Sequence, residues 1–400
     1  MKTIKTLVLA AGLAAVVATL LPTDAQAIPA FARRYKLSCT TCHAPFPRLK
    51  DFGNEFAANG FTIPEEEKER DYVSAGDDLL HLNRDFPLAV RFDAWAYFEE
   101  DAAVNNDLQT PLGLKLLSGG ALARNVGYYF YFFMSEAGEI AGIEDAYVHF
   151  NDVGGVPFDV MVGQFQVCDP LMKRELRLTY EDYLIYKARI GYAVGNLTYD
   201  RGLILTYDIA STGTGLVGMI VNGNGKIEAG DGKFDDDKYK NFAGRVTQGV
   251  GDLFQVGYFY YSGQELLANP DVASPFHDNV YKNGLHYHGP DLVVGNGTLD
   301  LTLQYLMRSD SNPGLVDDAV KVETDGIVAE LVISPHQDRS RTYATLLYNR
   351  IDSDWDEYDY ESYTAGLTRL LARNLRLTLE YTYDAEREIS RGGVGLVTAF

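Results

Sequence analysis

Leu375-Arg376-Leu377-Thr378-Leu379-Glu380-Tyr381-Thr382-Tyr383-Asp384 reads as two sequences interleaved: leucine and tyrosine at every odd position, charged or hydroxyl side chains at every even one. An extended chain sends successive side chains to opposite faces, so this stretch is a strand with one apolar and one polar face. The same pattern recurs upstream. Leu299, Leu301, Leu303, Tyr305 and Met307 alternate with Asp300, Thr302 and Gln304, and Val90, Phe92, Ala94, Ala96 and Phe98 alternate with Arg91, Asp93, Trp95, Tyr97 and Glu99. A soluble sandwich also alternates, but it rarely sets several charges at alternate positions in strand after strand. A barrel with an apolar exterior and a polar lumen does so throughout.

The connections sharpen this. Short turns are expected at 123–125, 152–156, 195–196, 250–251, 295–297, 335–339 and 372–374. Longer polar segments lie between them near 100–110, 137–142, 166–182, 208–240, 264–282, 309–324, 351–359 and 386–391. Taking 208–240 as one loop, short and long connections alternate strictly, and the expected fold is an all-β transmembrane antiparallel barrel of sixteen strands over 86–400. An even strand number puts both termini on the periplasmic side. The chain ends in Phe400, with Thr398, Leu396 and Val394 at alternate positions before it; this resembles the C-terminal aromatic signal of outer-membrane proteins, although Thr398 stands where an apolar residue is usual.

At the other end, Lys2 and Lys5 precede an apolar run from Leu7 to Leu21, and Ala25-Gln26-Ala27 is a small-x-small cleavage site. Residues 1–27 therefore read as a secretory signal peptide. No later segment has the roughly 18 consecutive apolar residues of a membrane-spanning helix. The 38 glycines, 27 tyrosines and 20 phenylalanines suit many strands with aromatic ends, and a net charge of -21 argues against binding nucleic acid.

Cys39-Thr40-Thr41-Cys42-His43 is the one constellation with specific chemistry. Two cysteines two residues apart and an adjacent histidine form the attachment pattern of a c-type haem. The thiols bond the porphyrin and the imidazole is the proximal iron ligand. A zinc site would need further ligands at short spacing, and a redox dithiol a βαβ context; neither is present. With Cys39 and Cys42 taken up by one covalent haem c, Cys168 is left as an unpaired thiol. Leu49, Phe52 and Phe56 fall at helical spacing with Gly60 as a C-terminal cap, so residues 28–85 read as a small α-helical monohaem module and its linker.

The run from Ile28 through Cys39-Thr40-Thr41-Cys42-His43 to Phe46-Pro47, with Phe52-Gly53-Asn54-Glu55-Phe56 and Asn59-Gly60-Phe61, resembles the N-terminus of the fused monohaem cytochrome–porins of the outer membrane, which include iron-oxidising cytochromes. The resemblance covers about a tenth of the chain. It implies a haem module that plugs or lines a porin-like barrel, and Cys39, Cys42 and His43 as haem residues. It also implies electron transfer between a periplasmic carrier, such as a cytochrome, and an extracellular partner such as iron, rather than conversion of a substrate. The second reading is a diffusion porin whose haem module is a gate or sensor.

An electron-transfer haem usually has a second axial ligand. His81, between the module and the first strand, is the first candidate. His149 and Met161, expected to face the lumen on consecutive strands, are the others. Three further features have plainer readings. His286 and His288 share one strand face and are expected to line a wet lumen near the external rim. The loop from Asn222 to Asp231 resembles a calcium loop but has Ile220 where the first ligand belongs. Lys173, Arg174 and Arg177 make a basic cluster in a loop that either folds inward or sits outside.

Overall fold

The computed structural model describes residues 30–63, 66, 86–226, 231–251 and 253–400; the expected signal peptide, most of the linker and His81 lie outside them. Among the described residues, three short helices come first: α1 (Ala30–Tyr35), α2 (Cys39–Cys42) and α3 (Asp51–Ala58). Sixteen strands follow. They are β1 (Leu88–Glu99), β2 (Asn106–Ala123), β3 (Val126–Glu136), β4 (Gly142–Phe150), β5 (Phe158–Gln166), β6 (Tyr199–Ile209), β7 (Thr214–Val221) and β8 (Asn241–Val250), then β9 (Phe254–Ala268), β10 (Val280–Gly295), β11 (Leu299–Asp310), β12 (Val322–Ile333), β13 (Thr342–Ser353), β14 (Tyr360–Ala372), β15 (Leu375–Asp384) and β16 (Ile389–Ala399). Each pairs antiparallel with its sequence neighbours, and β1 pairs with β16, closing the barrel.

The alternation in β15 sorts as expected. Arg376, Thr378, Glu380, Thr382 and Asp384 are buried toward the lumen, while Leu379, Tyr381 and Tyr383 are exposed on the outer face. The barrel therefore has a rim of mostly short turns, where the helices sit, and a rim of mostly longer loops.

Sixteen strands were reached in the sequence by two opposite errors. Residues 183–194, expected as a strand ending in a turn at Gly195-Asn196, belong to one long connection, 167–198. The segment 208–240, expected as a single loop, contains β7, and the short turn there is 210–213. The cause of both is the same. Loop 167–198 folds into the lumen, so its Tyr183, Ile185, Tyr186, Ile190 and Leu197 are buried like the residues of a strand. Met219 and Val221 of β7 face that apolar filling rather than water, so β7 lacks the polar alternation that marks the other strands.

The filling makes an internal core. Val167, Cys168, Met172, Tyr183, Ile185, Tyr186 and Leu197 of the loop pack against Phe259, Tyr261, Leu285, Tyr287, Leu306, Val328 and Leu347 of the barrel wall. Leu285 and Tyr287 thus point inward on β10, which turns His286 and His288 outward, contrary to the expected lumen-lining pair. His288 meets Tyr258 on that outer face, Nδ1 to hydroxyl 2.9 Å.

Candidate functional site

Residues 30–63 fold on a small aromatic core. Phe56 is T-shaped against both Phe31 and Tyr35, with centroids 5.3 and 5.5 Å away. Helix α3 stops as its sequence requires: Gly60 takes φ +64°, its N–H donates to Ala57 O at 3.1 Å, and Phe61 N–H donates to Phe56 O at 2.9 Å. This is a Schellman cap, and the Phe56–Phe61 ring contact at 5.8 Å is its apolar partner.

The residues expected to attach a haem occupy one turn. Ser38 caps α2, with Thr40 N–H donating to its hydroxyl at 3.4 Å, and His43 N–H donates to Cys39 O at 2.9 Å. Helix α3 lies directly on this turn. A Cβ at Gly53 would stand 2.3 Å from Cys42 O, so only glycine fits there. His43 Nδ1 lies 2.6 Å from Pro47 O. A carbonyl can only accept, so Nδ1 carries the proton and Nε2 is left as the basic nitrogen, as metal-ligating histidines require. Burial holds the His43 imidazole below its ordinary pKa, against the opposing pull of the bond to Pro47, and burial pushes both Cys39 and Cys42 thiols up. All three cysteines are unpaired thiols, so nothing competes for Cys39 and Cys42.

Cys39, Thr40, His43, Pro45 and Phe46 line one side of a narrow cleft, and Asp338, Ser340, Leu370 and Arg373 of the barrel line the other. The donor set, the free thiols and the fixed imidazole fit a c-type haem.

The module is docked around the short-turn rim. Phe61 stacks on Tyr129 of β3 at 4.5 Å, and Asn151 Nδ2 donates to Asn59 O at 2.6 Å. Arg48 donates to Thr302 Oγ1 at 3.0 Å and pairs with Glu330 at 3.5 Å; Tyr343 OH donates to Phe46 O at 2.9 Å. Gly60 and Gly127 touch backbone to backbone, and a Cβ at Gly127 would fall 2.3 Å from Gly60 O. Gly127→Val is therefore expected to weaken docking by about 1–3 kcal/mol of overpacking. Limited proteolysis should then cleave the module while heat resistance of the barrel is unchanged.

The sixth-ligand candidates fare differently. His149 and Met161 do face inward and are direct cross-strand partners. His149, however, lies beside Gly60, where an added Cβ would stand 3.4 Å from His149 Cβ, on the wall of β3 to β5, whereas the cleft is walled by β14 and the turns beside β12 to β15. The structure does not bring either to the cleft. His81 lies outside the described residues. His336 was missed in the sequence: it is exposed in the turn that carries Asp338 and Ser340, and its N–H donates to Ser340 Oγ at 2.8 Å. A lone turn histidine has no pattern by which to find it. Among the described residues, no group of three or more His, Cys, Asp or Glu side chains is arranged to hold a metal ion.

Toward the other rim, loop 167–198 crosses the lumen and is tied to its walls. Tyr180 and Glu181 N–H groups donate to the two Glu380 oxygens at 2.7 and 2.9 Å. Tyr183 OH reaches Glu330 at 2.8 Å, Tyr360 OH reaches Glu181 at 2.6 Å, and Glu175 pairs with Lys115 at 2.8 Å. Within the loop, Arg174 grips Asp182 through two bonds of 3.1 and 2.5 Å. The basic cluster of the sequence is thus half absorbed in the plug.

Burial alone would raise the Glu175 carboxyl, but Lys115, Arg177 and Arg91 together outweigh it and hold it at about 2. A carboxyl lowered on folding contributes stability that is complete above its ordinary pKa and lost as pH falls toward the folded one. The loop should therefore loosen on acidification from about 4.5 to about 2. The measurement is single-channel conductance against pH, in which a Glu175→Gln barrel should lack much of the wild-type acid transition.

No family model matches this sequence, and no curated protein matches it. Solved structures do match in fold. The anion-selective porin of Comamonas acidovorans superposes with a TM-score of 0.56 at 13% identity, over 79% of this chain and 99% of that one. Salmonella typhi OmpF, solved with daunomycin, gives 0.55 at 12%, over 79% and 97%. The outer membrane channel DcaP of Acinetobacter baumannii gives 0.53 at 14%, over 79% and 97%. With its closed ring of sixteen antiparallel strands, this chain has the fold of the outer-membrane porins.

Proposed function

We propose that the chain is an outer-membrane electron conduit, in which a porin-type barrel holds a single haem c at its periplasmic mouth and passes electrons, not solutes. The observation that carries the reading is the Cys39-Thr40-Thr41-Cys42-His43 turn inside the short-turn rim, with both thiols unpaired and His43 Nε2 left as the basic nitrogen. Cys39 and Cys42 would hold the group covalently and His43 would ligate its iron. When bound, the group supplies one-electron Fe(III)/Fe(II) chemistry. Phe46, T-shaped on the His43 ring at 5.0 Å, helps hold the imidazole plane, and the barrel turns beside β12 to β15 shield the cleft on the other side. The short-turn rim is periplasmic in this reading, so a periplasmic cytochrome meets the module and an external donor or acceptor such as iron meets the long-loop rim.

The second reading is a diffusion porin with a haem-bearing gate. It has in its favour the solved neighbours, which are named as porins and channels. The inward loop and the docked module stand against a wide pore.

The deciding experiment places the purified chain in liposomes with a cytochrome trapped inside and an impermeant ferrous chelate outside. Reduction of the trapped cytochrome without leakage of a small sugar is the result expected of a conduit. Sugar flux that is the same in chains isolated with and without haem would leave only the porin reading.

A further inference from the structure

Arg376 stands on β15 directly across from Leu370 of β14, beside an irregularity where the register shifts between Leu370 and Ala372. Cross-strand partners share a face with Cβ atoms about 5 Å apart. Leu370 lines the Cys39–His43 cleft and packs with Leu178, Val332 and Tyr343 behind it. Arg376 therefore stands beside Leu370, one strand over from the cleft wall and just behind the residues that line it.

Its side chain is only 4% exposed, and Nε and Nη1 are both buried with no hydrogen-bond partner among the described residues. A buried guanidinium in that state is costly unless a carboxylate meets it. Four other lumen arginines have theirs: Arg91 with Asp93, Arg174 with Asp182, Arg245 with Asp291 and Arg308 with Asp310. The acid that faces Arg376, Asp93, is two strands away in the same row and is bonded by Arg91 at 2.9 Å through both oxygens. Arg373, three residues earlier, lines the same cleft at the rim.

We propose that Arg376, with Arg373 at the rim, binds a propionate carboxylate of the haem c attached at Cys39 and Cys42. The inference rests on the conduit reading above and deepens it, because the barrel then supplies a charge that helps set the potential. Arginine suits this role, because its planar N–H fork meets a carboxylate through two bonds and stays charged at all working pH values.

The test is a redox titration, across the neutral pH range, of wild type, Arg376→Leu and Arg376→Lys, each isolated with its haem. Removing a cation from the neighbourhood of a redox group favours its oxidised form. In Arg376→Leu the ratio of reduced to oxidised haem at fixed potential should fall about tenfold, equivalent to 59 mV for one electron. Its midpoint should also fall with rising pH as the released propionate ionises, whereas the wild-type midpoint stays flat and Arg376→Lys lies between. A leucine variant with the wild-type midpoint and a flat profile overturns the proposal while leaving the conduit intact. So does a wild-type midpoint that moves on addition of acetate, which would mark an exchangeable anion. Should the leucine variant not fold, the wild type still decides: a neutral-range slope of its own overturns the proposal. A wild type without covalent haem removes both this proposal and the conduit reading.

Discussion

Replacing Cys39 and Cys42 together by alanine is expected, under the conduit proposal, to yield a folded, heat-resistant barrel that carries no covalent haem and reduces no trapped cytochrome. In the conduit reading the loss is complete, because Cys39 and Cys42 are the only thiol pair the sequence offers for covalent attachment. Cys168 cannot substitute for them: it is fully buried in the loop core, with its Sγ 3.8 Å from Gln166. The barrel should survive because the groups that dock the module are other residues. Phe61 on Tyr129, Asn151 on Asn59 and Arg48 on Glu330 do not involve either thiol. The measurement is a haem stain after denaturing electrophoresis, read beside the electrophoretic shift on heating. Unchanged stain in the double variant would mean that the haem, if any, is not held at this turn.

Excising residues 170–190 in favour of a short glycine-serine link should open the lumen. Barrels of sixteen strands leave an aqueous channel unless something fills it, and the excision is expected to raise ion conductance on the order of tenfold. The filling here is the apolar side of the loop on one wall and its bonds to Glu380, Glu330 and Lys115 on the others. Glu380 and Glu330 are left on a wetted wall, where lumen charges are tolerated, so the barrel should still fold. Planar-bilayer recording makes the comparison. A wild type already as conductive as the excised form would show that the loop does not seal the pore, and would favour the diffusion reading.

The two predictions divide along what the sequence displayed. Local chemistry was legible: Cys39 to His43 is contiguous, and the Gly60 cap and the Phe52–Phe56 stripe follow from helix geometry over a few residues. The strands were legible wherever one face met water in the lumen, as in β11 and β15, since charge then marks every second position. They were misread between 167 and 240, where the lumen is dry. There Met219 and Val221 of β7 and Tyr183, Ile185 and Tyr186 of the loop look alike, because each is apolar for the same reason. His286 and His288 were assigned to the wrong face by the same ambiguity, since Leu285 and Tyr287 meet the plug.

By itself, then, the sequence determined a chain of alternating strands ending in Phe400 and displayed a Cys-x-x-Cys-His turn ahead of them, because a period of two and a five-residue motif are properties of neighbours along the chain. Only the tertiary structure decided that loop 167–198 is the plug and that the cleft beside His43 is half made of barrel. It alone left Arg376 buried beside that cleft without a carboxylate of its own. Those facts depend on which residues, hundreds of positions apart, meet across a closed ring of strands, and no local pattern encodes that meeting.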